Sequence, residues 1–134
     1  MNISNFDDLL QAARQQSEPQ RLLFVFACAD LPQDSTPAQQ AQFLAGHGGA
    51  LVPMMCVDKA LDELKAFADL EQESRQFNQA WHIVFAAALS GTDGLAPTAE
   101  AAEKPLRKMV EAIKAGTLGT LIPFDRQGQA VVLR

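Results

Sequence analysis

The residues of this chain best suited to chemistry are its two cysteines, and both close the same phrase. An apolar run ends in Cys-x-Asp first as LLFVFACAD, with Cys28 and Asp30, and again as ALVPMMCVD, with Cys56 and Asp58. If the two runs lay side by side and ended together, Cys28 and Cys56 would form a redox pair or a nucleophile with a resolving partner. Cys56 also precedes a helix-start signal, where the positive end of the helix dipole favours thiolate. Asp58, two residues on, opposes that. Strand alternation groups Cys28 with Phe24 and Phe26, and Cys56 with Val52 and Met54. Free cysteine commonly packs as a small hydrophobe, so the pattern favours core placement over a thiol site. No CxxC motif and no set of four metal ligands is present, and no metal is expected.

A second group of residues suits ligand binding. His47 lies in Gly46-His47-Gly48-Gly49, where flanking glycines let backbone approach a ligand and the imidazole titrates near neutrality. Ser90, Gly91 and Thr92 begin the loop Ser90-Gly91-Thr92-Asp93-Gly94, between a buried strand and a helix. Ligands tend to sit at such a place in open α/β sheets. Its hydroxyls and backbone N–H groups would suit an anion, yet the spacing is neither GxGxxG nor a P-loop. The plain alternatives are a helix stop at Gly46 with a solvated His47, and an ordinary turn at 90–94. His82, after Trp81, suits a hydrogen-bonded histidine at the core margin. Asp30, Asp58 and Asp125 all end strands and would bind a divalent cation if clustered, but each has a local duty in a loop, helix cap or turn. No GxSxG, HExxH or Ser-His-Asp spacing stands out, so no catalytic residue is assigned.

Composition narrows the classes further. The 134 residues are 48% hydrophobic and 20% charged, which suits one globular domain spanning 1–134. The net charge of −5, with basic residues scattered, argues against a nucleic-acid partner. No run reaches the length of a membrane span, and no basic-then-apolar leader opens the chain. Two free cysteines then fit a reducing cytoplasm.

The elements that must position these residues follow from periodicity. Ser4 with Asp7 and Asp8 marks a helix start, and Phe6, Leu9, Leu10 and Ala13 form its apolar stripe. The run 21–29 is apolar on both faces, as in a strand covered on two sides. Thr36-Pro37 opens a short helix that Gly46 stops. A second strand spans 50–57, and Asp58 is expected to cap a long helix burying Leu61, Leu64, Phe67 and Leu70. A third strand spans Trp81 to Leu89, and a helix covers 98–115, with Pro105 either kinking it or starting it. Strands at 118–124 and 129–133 read as a hairpin around Asp125-Arg126-Gln127-Gly128. Pro53 cannot donate to a ladder, which points to an edge position or a bulge, and with Pro123 in a like place neither strand should be one of the two central ones.

The stretches FDDLLQAARQQ, RLLFVFA, GALVPMMCVDKALDEL, IVFAAALSG, MVEAIKAG and LIPFDRQGQ resemble a family of short proteobacterial proteins, some of which carry the label ribonucleotide reductase subunit alpha. That label implies a radical cysteine within a barrel several times larger than this chain, together with a redox pair. Cysteines ending two short strands depart from that pattern. Leu51 to Phe67 is also similar to the VPVFTS-type segment of SseB-like domains. This implies a mixed α/β fold used for protein interaction and brings no catalytic residues.

The expectation is therefore a single α/β (α+β) domain with a mixed sheet of about five strands and packed helices. Its expected role is a non-enzymatic, cytoplasmic interaction or regulatory module without a cofactor, binding another protein or a second copy of itself. The alternative is an anionic small-molecule binder or weak enzyme using the 46–49 and 90–94 loops.

Overall fold

The computed structural model describes residues 3–30, 50–76, 81–115, 117–118 and 121–131. Helix α1 spans Phe6–Arg14, strand β1 Gln20–Asp30 and strand β2 Ala50–Ala60. A 3-10 turn at Leu61–Glu63 leads to helix α2, Phe67–Arg75, then strand β3, Ile83–Ser90. Helix α3, Ala99–Ala115, precedes the short strand β4, Ile122–Phe124. The four strands form one sheet in the order β2-β1-β3-β4, and every neighbouring pair is antiparallel. Where a mixed sheet of about five strands was expected, the described residues form a four-stranded antiparallel one. The difference lies at the C-terminal end, where the described part of the segment expected as a fifth strand makes isolated bridges through Gln129 and Ala130.

Helices cover both faces of the sheet, which explains why the strands read as unbroken apolar runs. On one face Phe6, Leu9 and Leu10 of α1 and Leu70 of α2 pack on Leu22, Phe24, Phe26, Val84 and Phe124. On the other, Ala102, Met109 and Ile113 of α3 pack on Leu23, Val25, Ala27, Ile83 and Phe85. Residues 22–27 alternate strictly between these two clusters, so β1 is the spine of both.

The prolines fall where the ladder tolerates them. Pro53 lies in β2 and Pro123 in β4, the two edge strands. Beside Pro53 the register slips: Phe26 opposes Met55 while Ala27 opposes Pro53, leaving Met54 as the extra residue of a bulge. Pro105 lies inside α3, so the helix runs through it without a donor at that position. The outer side of β4 is closed by returning chain, since Val131 N–H donates to Pro123 C=O at 3.1 Å and Ala130 N–H to Ser4 C=O at 2.9 Å. Among the described residues no strand pairs with the outer edge of β2.

Two helix starts differ from expectation. Asn5, not Ser4, caps α1: its side-chain oxygen accepts the Asp8 N–H at 2.9 Å, while the Asp8 carboxylate accepts the Ser4 N–H at 2.9 Å. Asp58 caps nothing, because β2 runs on to Ala60 and the helix begins only at Phe67. Asp58 instead accepts a hydrogen bond from Arg21 Nε at 2.6 Å across the β1–β2 ladder. Thr98 caps α3, accepting the Ala101 N–H at 3.1 Å. No helix among the described residues is long and apolar enough to cross a membrane.

Candidate functional site

The hairpin of β1 and β2 separates the cysteines. Cys28 opposes Val52, whereas Cys56 opposes Val25, three residues back along β1. At about 3.3 Å per residue that is roughly 10 Å along the strand. They also face opposite ways. Cys28 continues the Phe24–Phe26 side, where α1 and α2 pack, while Cys56 shares a face with Val25, on the α3 side. The Met54 bulge causes this, shifting Cys56 off the face that Val52 and Met54 would share with it in an unbroken strand. Cys28 is half-buried and Cys56 exposed, so Cys56 is not the core residue its apolar run suggested. Desolvation raises the Cys56 thiol above its ordinary pKa, opposite to what a reactive thiolate needs.

Three backbone donors of the 90–94 loop are already engaged within the protein. Gly91 N–H donates to Pro19 C=O at 2.8 Å, Thr92 N–H and Leu95 N–H exchange bonds with each other's carbonyls, and Gly94 N–H donates to the Glu18 carboxylate at 2.9 Å. The Ser90 hydroxyl accepts from Gln20 at 2.9 Å. A Cβ on Gly91 would lie 2.0 Å from the Leu95 carbonyl oxygen, so glycine here serves a tight turn. His47, Gly48 and Gly49 lie outside the described residues. Ala50, which follows them, opposes Asp30 at one end of β1, and Ser90 opposes Gln20 at the other. Ten residues of β1 separate the two positions, about 33 Å. Asp30 and Asp58 are likewise far apart on the β1–β2 ladder, and His82 is exposed at the start of β3. Among the described residues no three His, Cys, Asp or Glu side chains group as they would around a metal ion.

The described residues converge elsewhere. An open recess of about 590 Å³ lies between the first turn of α1, the exposed side of α2 and the 125–128 turn. Phe67 and Ala68 form its apolar part, and Asp7, Glu71, Arg75 and Arg126 line it with charge. Glu71 Oε1 accepts from Arg75 Nε at 3.0 Å and from Arg126 Nη2 at 3.4 Å. Two guanidiniums on one carboxylate hold Glu71 below the ordinary glutamate pKa, with the Arg75 hydrogen bond the leading cause. The Arg126 guanidinium also lies 5.0 Å above the Trp81 ring, with Nη1 directed at Trp81 C=O at 3.5 Å. Arg126 is therefore held in place from two sides.

The recess has a rigid back. Trp81 is buried, its indole N–H donates to Ser74 Oγ at 2.9 Å, and its ring meets Phe26 edge-on at 4.9 Å. Phe67 packs edge-on against Phe6 at 5.2 Å, and Phe6 reaches Phe24 and Phe124. Such aromatic contacts fix the ring that floors the recess. The turn opposite is just as fixed: Asp125 Oδ1 accepts from Gln127 N–H and Gln129 N–H, and Gly128 adopts φ +80° against Phe67.

Sequence reasoning did not single out Glu71, Arg75 or Arg126. The Glu71–Arg75 spacing is a local i,i+4 signal, but Arg126 arrives from 55 residues away. No family model, no curated protein and no solved structure matches this chain.

Proposed function

We propose that this protein is a non-enzymatic interaction module whose contact surface is the recess between α1, α2 and the 125–128 turn. The observation that carries the reading is the recess itself: an open hollow with a fixed aromatic floor and two arginines at its rim. Rigid aromatic and arginine groups beside one another are what anchor a partner's side chain at protein interfaces. Openness suits a protein segment better than an enclosed metabolite.

The test uses Ala68, which is exposed and lines the recess. Ala68→Arg fills the hollow without touching the core, and Lys104→Ala alters the exposed side of α3 as a control. Capture from the native host with wild type, A68R and K104A should recover one protein that A68R alone fails to retain. A partner held equally by all three would contradict the reading.

A further inference from the structure

We propose that α2 beyond Phe67 undocks and unravels as a unit while the sheet, α1 and α3 stay folded, and that this opens Trp81 to the recess. The proposal concerns the helix and stands whether or not the recess binds a partner. Helices α1 and α2 are both nine residues long, too short to hold without packing. Their packing differs. α1 is capped by Asn5 and buries Phe6, Leu9, Leu10 and Ala13. α2 starts from Ala66, whose methyl cannot cap, and fully buries only Leu70 and Ser74.

The two ends of α2 are held unequally. Phe67 and the buried Leu64 before the helix keep its N-terminal end on the aromatic cluster. Beyond Phe67 the hold is Leu70 and three polar links: Trp81 Nε1–H to Ser74 Oγ at 2.9 Å, Lys59 to Glu73 at 2.8 Å and Arg126 to Glu71 at 3.4 Å. The Glu73 side chain is 33% exposed and that of Arg126 41%, so water replaces both ion pairs at little cost. The Ser74 hydroxyl and the indole N–H likewise regain bonds to water. One apolar side chain, Leu70, therefore bears most of the hold. Trp81 stays on the core when the helix leaves, since its contacts with Phe26 and Arg126 do not involve α2. Segments with few buried apolar contacts are where folded proteins open locally. Opening removes Glu71 and Arg75 from the recess and adds the indole to its aromatic floor, so a group that stacks on Trp81 selects the open form.

The experiment is native-state hydrogen exchange of the full chain followed by NMR, in wild type and in Ile113→Val. Ile113 packs from α3 on the opposite face of the sheet, so shortening it weakens the whole fold without touching α2. In wild type the amides of residues 71–75 and the Trp81 indole N–H should exchange together. Relative to their intrinsic rates they should be at least about tenfold less protected than the amides of residues 22–27. Ile113→Val should speed exchange at 22–27 by about fivefold and leave 71–75 and the indole unchanged. Equal acceleration at 71–75 and 22–27 would mean that α2 leaves only when the whole protein unfolds, and would overturn the proposal. An indole N–H that exchanges with 22–27 would also overturn it, because Trp81 would then stay covered when the helix opens.

Discussion

Replacing Gly128 with alanine should destabilise the protein by about 2–4 kcal/mol, and Gly94→Ala supplies the control that shows why. Both glycines have positive φ, +80° and +77°. An L-residue in that region costs about 1–2 kcal/mol, offset by about 0.4–1 kcal/mol because alanine restricts the unfolded chain. Gly94 has nothing within 4 Å of the added Cβ, so Gly94→Ala should lose only that remainder, about 1 kcal/mol. At Gly128 the methyl would lie 2.9 Å from Phe67 Cγ and 3.0 Å from Cδ2. Phe67 is braced on its inner side by Phe6 at 5.2 Å and Trp81 at 6.4 Å, so moving away from the methyl disturbs those ring contacts. Overpacking of this kind adds about 1–3 kcal/mol. Urea unfolding followed by Trp81 fluorescence reads the difference as a midpoint gap of about 1 M between the variants. In a Phe67→Ala background the gap should close. Equal midpoints for Gly94→Ala and Gly128→Ala, or a gap that survives Phe67→Ala, would refute the packing argument.

Mild oxidation of the native protein should produce no Cys28–Cys56 disulfide, because the thiols face opposite sides of the sheet; a cross-linked monomer seen by mass spectrometry without unfolding would contradict the register. Alkylation should reach exposed Cys56 before Cys28, yet more slowly at mildly alkaline pH than a free thiol reacts, since its pKa is raised. Glu71 has a lowered folded pKa, so its contribution is present above the unfolded value of about 4.3 and lost as pH falls through the folded one. Wild type should therefore lose more stability than Glu71→Gln between pH 5 and 3, by less than about 1 kcal/mol for a pair this exposed, and identical acid profiles would remove the clamp. Asp58→Asn should cost about 1 kcal/mol by removing the charge that strengthens the bond from Arg21, and leave the helicity measured by circular dichroism unchanged, as expected of a strand residue and not a cap.

Periodicity made much of this fold legible. The apolar runs at 21–29 and 81–89 lie on the two central strands, and Pro53 and Pro123 marked the edges because a residue without N–H cannot serve a central ladder. The turn at 125–128 was visible in Asp125 and Gly128. Local signals failed where a tertiary partner outbid them. Asp58 has the chemistry of a cap, but Arg21 across the ladder holds it in a strand. A one-residue bulge at Met54 turned Cys56 away from its expected face; Pro53 pointed to an edge or a bulge, but not to the residue at which the register would slip. The recess was not legible at all, since Glu71, Arg75 and Arg126 acquire meaning only once the sheet brings the last turn against α2.

The most direct test of the recess as an interaction surface is photo-cross-linking from within it. With a benzophenone amino acid at position 68 in cells of the native host, a single heavier adduct containing a second protein is predicted, while position 104 on α3 gives none. Adducts from position 104 with none from position 68 would contradict the account.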